Sequence, residues 1–415
     1  MEPQQLLYLI LIFVILDFVF DQLLDFINLK YQKKDIPSEV ASFYDKDKYL
    51  KSLDYQRINT RFGFITATLS FIISVAMLYY GGFGYIDQWL RPHIGNDILL
   101  SLVFFAILFI ASDIITTPFQ WYRTFVIEEK FGFNTTTPGI FIADKFKGYL
   151  LTIIIGGLLG SVLIWLIINF GEYFWIYFWA IATVFIVFLQ MFYATLIMPL
   201  FNKLTPLEEG TLKEAIVAYC RKVDFPLTNI FVIDGSKRSK KANAFFMGFG
   251  KKKKVVLYDT LIQNHETEEL VAILAHEVGH YKKKHIISGL VLSILQIGFT
   301  LFIFSLFAYN KTLSLALGAE EFGIHLSLIA FGILYSPISK ALGIVMNMYS
   351  RKNEYEADDF ARTTFEGHEL QNALKKLSVD NLSNLFPHPA YVFVHYSHPP
   401  LLQRLEALEQ PPATD

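Results

Sequence analysis

The amino-acid sequence predicts an all-α polytopic membrane protein of seven transmembrane helices, with a small α+β subdomain on one membrane face. Composition, the spacing of apolar stretches and the sorting of basic residues carry that prediction. Of 415 residues, 53% are hydrophobic and 16% aromatic, and the mean hydropathy is +0.39, too apolar for an ordinary water-soluble globule. A formal net charge of -2 argues against a nucleic-acid partner. The lone thiol, Cys220, has no second cysteine to pair with and is expected to be a small buried hydrophobe.

A bilayer core of about 30 Å needs roughly 20 mostly apolar helical residues. Seven stretches qualify, at approximately 5–28, 62–82, 97–119, 149–169, 173–200, 286–309 and 324–349. The first has Glu2 instead of a basic start and shows no small-residue cleavage site, so it is expected to be a retained anchor. Asp17, Asp21 and Asp25 recur every four residues along it, and Asp113 and Lys340 lie in the third and seventh stretches. Charges facing lipid are costly, so these are expected to face protein or a hydrated interior, with Asp25 also close enough to the span end to reach the interface. Lys30, Lys33, Lys34, Lys46, Lys48, Lys51, Arg57 and Arg61 follow the first span, and Lys251–Lys254 and Lys282–Lys284 lie between the fifth and sixth. The connections near 83–96, 170–172 and 310–323 carry few basic residues. The positive-inside rule then places the N-terminus outside and the C-terminus in the cytosol. Lys251–Lys254 are expected to form a solvated face touching anionic headgroups.

The chain thus divides into 1–201 with spans one to five, a polar region 202–284, 285–351 with spans six and seven, and a polar region 352–415. The last two spans cross twice, so both polar regions share the cytosolic side. In the first of them, Thr205, Pro206 and Glu208 predict a helix start. Ile230–Ile233 and Val255–Tyr258 predict short strands. Asn264 is expected to cap a further helix, with Glu266, Glu268 and Glu269 at its positive end and Leu270, Ile273, Leu274 and Val278 as its apolar stripe.

That helix contains H-E-x-x-H as His276, Glu277 and His280. Residues four apart share a helix face, so both imidazoles can bind one zinc ion, with Glu277 beside it as general base. Catalytic zinc takes three protein ligands and keeps a fourth position for water. After the seventh stretch come Glu354 and Asp358, also four apart. Glu354 can supply the third ligand while Asp358 holds the other nitrogen of a ligand imidazole. Taken alone, that pair also reads as a solvated acidic face, and H-E-x-x-H can arise by chance. His93, His265, His285, His325, His368, His388 and His395 lack ligand spacing and are expected at the surface or in packing.

H-E-x-x-H, then E-Y-E-A-D after a two-span hairpin, then His395–Leu405 (H-Y-S-H-P-P-L-L-Q-R-L) together resemble the type I CAAX prenyl endopeptidases, seven-span zinc proteases of the gluzincin class. The resemblance extends through Glu128–Asn134 (E-E-K-F-G-F-N), Ser239–Gly248 (S-K-K-A-N-A-F-F-M-G) and Val255–Thr260 (V-V-L-Y-D-T). It implies one zinc per chain held by His276, His280 and Glu354, with Glu277 activating water. Asn243 and His398 match positions that bind substrate backbone or steady the oxyanion, and Arg404 matches a basic residue that braces the ligand carboxylate. The family also implies a chamber within a ring of seven helices, capped by the metalloprotease subdomain. Its substrates are proteins with a prenylated C-terminal CAAX sequence.

The expected reaction is peptide-bond hydrolysis by zinc-activated water on a peptide or protein substrate beside membrane lipid. General membrane-protein quality control is the alternative within this class. A seven-span transporter or receptor with a structural zinc, its aspartates forming an ion path, is the alternative from another. The terminal Pro411–Asp415 carries no dilysine or lysine-aspartate-glutamate-leucine signal, which favours a prokaryotic plasma membrane over the endoplasmic reticulum.

Overall fold

The first helix, α1 (Pro3–Lys30), starts with proline at its first position and a Glu2–Gln5 capping box, both favourable at a helix N-terminus. The computed structural model describes residues 1–247 and 253–409. Helix α2 (Lys46–Tyr79) is capped by the Asp45 carboxylate, which accepts from the Lys48 amide at 2.7 Å. It begins well before residue 62 because its first turns stand outside the apolar stretch. Helix α3 (Gly82–Leu90) is short, and α4 (Asp97–Tyr122) is capped by Asn96 and runs into a π-helical stretch, Arg123–Glu128. Helix α5 (Pro138–Leu151) passes through a second π-helical stretch into α6 (Gly157–Phe170), and α7 (Phe174–Leu196) follows.

Among the described residues, six helical stretches are long and apolar enough to cross a bilayer: Pro3–Lys30, Lys46–Tyr79, Asp97–Phe131, Pro138–Phe201, His285–Ser305 and Ile324–Thr364. The fourth has 64 residues, far more than one crossing needs. Gly171, at φ +55°, breaks it with the 3-10 turn Gly171–Tyr173, and α6 and α7 pack against each other across that turn. The expected fourth and fifth spans both lie in this stretch.

The intramembrane charges have protein partners. Lys340 sits 2.6 Å from Asp17 and 2.8 Å from Asp21, joining the first and last spans, and Lys145 pairs with Asp113 at 2.6 Å.

The polar regions fold around a four-stranded sheet of β1 (Leu204–Pro206), β2 (Leu227–Ile233), β3 (Ala244–Met247) and β4 (Lys253–Tyr258), in the order β1-β2-β4-β3. Strands β2 and β4 are parallel and the other two pairs antiparallel. Two local expectations are corrected. Thr205 does not start a helix: the following proline favours extended backbone, and Thr205 pairs with Val232 in the sheet. The helix starts later, as α8 (Thr211–Lys222). Asn264 is not the cap of the H-E-x-x-H helix but the last residue of α9 (Asp259–Asn264), and its amide donates to Asp380. Glu266 caps α10 (Thr267–Lys282), in a box with Glu269.

Helix α10 is buried all round, since Val271, Ala272 and Ala275 are as covered as the expected stripe. It packs against α8, against α13 (Ile324–Thr364), and against α14 (Gly367–Asp380). Between them run α11 (His285–Ser305) and α12 (Lys311–Ala316), and α15 (Pro389–His395) and α16 (Leu401–Glu409) close the chain. Cys220 is buried in this core as expected, and burial pushes its thiol up to about 12. Gly248, Lys251, Lys252 and the segment 411–415, all used in the sequence reading, lie outside the described residues.

Candidate active site

Helices α10 and α13 cross closely enough to face their polar side chains across a narrow gap. Gly279 permits this: a Cβ there would lie 2.9 Å from the Ala357 Cα and 3.0 Å from its carbonyl oxygen. His276 and His280, one turn apart, therefore meet Glu354, which lies on α13 past its apolar stretch. Their ligand atoms all lie within 4.8 Å of one another. The two Nε2 atoms are 3.2 Å apart. His280 Nε2 is 3.2 Å from Glu354 Oε1, and His276 Nε2 is 3.5 Å from Oε2.

Glu354 is 3% exposed, yet its Oε2 makes no hydrogen bond among the described residues. A buried carboxylate oxygen without a hydrogen bond is costly; His276 Nε2 and Arg404 Nη1 each stand 3.5 Å from it, and His280 Nε2 faces the other oxygen of the same carboxylate. Two imidazoles and a carboxylate around one point are the donor set of a divalent transition-metal ion. The residues fit a metal.

Behind this group, His276 Nδ1 lies 2.8 Å from Asp358 Oδ1, and Arg404 donates to both Asp358 oxygens, from Nε at 2.8 Å and Nη2 at 2.6 Å. Arg404 Nη1 is also 3.5 Å from Glu354. Burial disfavours charge on His276, but the neighbouring Asp358 and Glu354 carboxylates raise its pKa to about 9. Burial likewise pushes the Glu277 carboxyl above its ordinary value, against the pull of His276 and His280.

A cleft of about 380 Å³ opens onto these residues, lined among others by Asn243, Glu277, His398 and Arg404. His398, on the loop before α16, places Nε2 3.3 Å from Glu354 Oε1, and burial holds its pKa down. Asn243 stands just before the edge strand β3, its side chain accepting from the Ala244 amide at 2.8 Å. Lys241 docks this segment on the membrane helices: its Nζ donates to Tyr55 at 2.7 Å and lies 3.2 Å from Glu128. All eight residues singled out in the sequence stand in or directly behind this cleft.

Sequence reasoning missed three others. His285, expected at the surface or in packing, is 8% exposed and contacts His280. Arg351 donates to the carbonyls of Val392 and Tyr396, and Asn347, one turn earlier on the same face of α13, donates to Val394. Together they bind carbonyls at the end of α15 and so hold the loop that presents His398. An arginine and an asparagine four apart just before Glu354 were the available signal.

Residues 26–203 match the family model described as CAAX prenyl protease N-terminal, five membrane helices, and residues 206–412 match peptidase family M48. This chain belongs to the CAAX prenyl protease 1 family of M48 peptidases. It is 37% identical to the CAAX prenyl protease 1 homolog of Oryza sativa subsp. japonica, with 96% of each chain covered. It is 34% identical to the Homo sapiens homolog, over 90% of this chain and 88% of that one. It shares the fold of S. mikatae Ste24p, with a TM-score of 0.92, 32% identity, and coverage of 98% of this chain and 99% of that. Membership of this family makes the protein an integral-membrane metalloendopeptidase. Among the described residues, His276, His280 and Glu354 form the cluster able to hold its metal ion.

Proposed function

We propose that the chain is a zinc endopeptidase for prenylated proteins ending in CAAX, with one zinc per chain held by His276, His280 and Glu354. The observation that carries this is the buried Glu354 carboxylate, one oxygen of it without a hydrogen bond among the described residues, facing two imidazoles beside an open cleft. The names of the curated relatives supply the substrate class.

Zinc at this point supplies Lewis-acid polarisation of water and of the scissile carbonyl. Glu277 takes a proton from water in the cleft and returns it to the departing amine, and its raised pKa suits both halves of that task. Asp358, held by Arg404, fixes the His276 ring so that Nε2 faces the cleft. His398 and the Asn243 amide donate to the negative charge that develops on the carbonyl oxygen. Strand β3 is the end strand of the sheet next to Asn243, so substrate lies extended along its free edge.

The division into 1–201, 202–284, 285–351 and 352–415 belongs to the same proposal. Counting Pro138–Phe201 as two crossings gives seven spans, supported by the break at Gly171 and by the five membrane helices of the matching N-terminal family model. The ring of spans encloses a hydrated chamber, supported by the half-exposed aspartates around Lys340. The catalytic region and C-terminus are cytosolic and the N-terminus is outside, as the basic residues indicate. A structural zinc in a transporter is disfavoured by the cleft beside Glu277, which such a site does not need.

The test is mass spectrometry of a farnesylated CAAX peptide and its unprenylated twin, each with wild type and Glu277→Ala. Cleavage by wild type alone supports the mechanism, and the ratio between twins shows whether lipid is read. No cleavage of either peptide by zinc-loaded wild type removes the CAAX assignment and favours general membrane-protein turnover. Equal cleavage by both proteins removes the mechanism.

A further inference from the structure

The two imidazoles of the H-E-x-x-H helix are supported in different ways. His276 leans directly on Asp358. His280 places its Nδ1 3.0 Å from Nδ1 of His285, whose Nε2 lies 3.1 Å from Glu356 Oε2. The rings of His280 and His285 stand 5.2 Å apart at 72°, so neither stacks on the other. The arrangement depends on Lys284, whose φ of +62° turns the chain between α10 and α11. That turn brings the first residue of α11 back against the last turn of α10. Helix α13 supplies the far end, since Glu356 is two residues beyond Glu354.

We propose that His285 and Glu356 form a positioning relay that orients His280 for zinc. The inference rests on the zinc reading of the site and names the groups that hold its second ligand. An imidazole that offers Nε2 to a metal carries its proton on Nδ1 and must donate it. The group in reach is His285 Nδ1, which can accept only if the His285 proton sits on Nε2. That nitrogen faces Glu356 Oε2, an acceptor. Each atom along the chain therefore has one compatible role, and together they fix both tautomers with His280 Nε2 turned to the metal point. Lys352, 3.7 Å from Glu356 Oε1, steadies the outer carboxylate, which is about one-third exposed.

The experiment measures zinc affinity of the full-length protein in detergent by competition with a fluorescent chelator, together with the visible spectrum of the cobalt-loaded form. His285→Leu keeps the bulk but cannot accept, and should weaken zinc binding about 10–100-fold and shift the cobalt bands. His285→Gln, whose amide both accepts and donates, should restore most of the affinity and the wild-type spectrum. Glu356→Ala alters a partly exposed residue and should give a smaller loss in the same direction, so it decides the matter even if His285→Leu does not fold. Unchanged affinity in Glu356→Ala together with His285→Leu overturns the relay. His285→Gln binding as weakly as His285→Leu also overturns it, because His285 would then only fill space. A wild-type protein that binds no zinc removes the zinc reading and the relay with it, whereas zinc-loaded wild type with indifferent variants removes the relay alone.

Discussion

The two ends of helix α13 hold nearly the same groups and put them to different use. Near its start, His325 Nε2 lies 2.9 Å from Asp87, and Arg91 donates to the same carboxylate at 2.7 Å. Roughly 50 Å along the helix, His276 meets Asp358 at 2.8 Å and Arg404 donates to that carboxylate at 2.6 Å. What differs is the remaining nitrogen of each histidine. His325 Nδ1 is closed off by Ser101 at 3.1 Å, with Asp87 and Ser101 both nearly inaccessible. His276 Nε2 instead faces a second imidazole, a carboxylate oxygen without a donor, and a cleft. An Asp–Arg–His set whose hydrogen bonds are complete acts as a clamp between α3, α4 and α13. The same set with one lone pair left over becomes a site.

The comparison breaks or holds on two opposite variants. Glu277→Gln should lower peptide hydrolysis about 10²–10⁴-fold while retaining zinc and melting no earlier than wild type. Asp87→Ala leaves His325 buried without its carboxylate and takes the buried partner from the partly exposed Arg91, whose remaining carboxylate is Glu321. It should cost about 3–5 kcal/mol of stability, read as a fall in melting temperature, with zinc content unchanged. Loss of zinc in Asp87→Ala, or a lowered melting temperature in Glu277→Gln, would show that the two ends are not separate devices.

The part of this design that was readable in the sequence is the part with helical spacing. His276 and His280, and Glu354 and Asp358, are pairs four apart, so one helix face predicts each of them. The mostly helical membrane architecture followed from apolar length alone. What failed was local polar chemistry in the subdomain. Thr205 and Asn264 both resemble caps, but one lies in an edge strand and the other ends a preceding short helix. Strand β3 was missed because its four residues lack an alternating pattern long enough to register. Both π-helical stretches passed unseen, since neither changes the apolar count. His285 and the Asp87–His325 pair were beyond reach for another reason: each joins elements far apart in the chain or across a left-handed turn.

Arg351 gives a smaller and sharper test. It sits on the same helix as Glu354 but touches the His398 loop, not the ligand group. Arg351→Ala should lower kcat about tenfold, in line with loosening a group that positions a donor, and leave zinc affinity as in wild type. Combined with His398→Ala, it should add little further loss, because the two act as one unit. Full additivity would place Arg351 outside the donor's support.

The smallest expected effect concerns pH and Glu277 itself. Burial raises its pKa above the ordinary 4.5, with His276 and His280 opposing. A raised value in the folded chain means the folded state binds that proton more tightly than the unfolded one. The stabilisation is present below the unfolded value and is lost as pH rises through the folded one. With metal chelated, Glu277→Gln should therefore be at least as stable as wild type at pH 7, and its melting temperature should vary less between pH 5 and pH 7. In the active enzyme an acid limb in kcat is expected, since the base must be ionised to accept a proton. A Glu277→Gln protein that is less stable at pH 7 and keeps the wild-type pH slope would mean that Glu277 is solvated. The cleft would then differ from the far end of α13 only in shape, and its leftover lone pair would lose the buried base that turns it to chemistry.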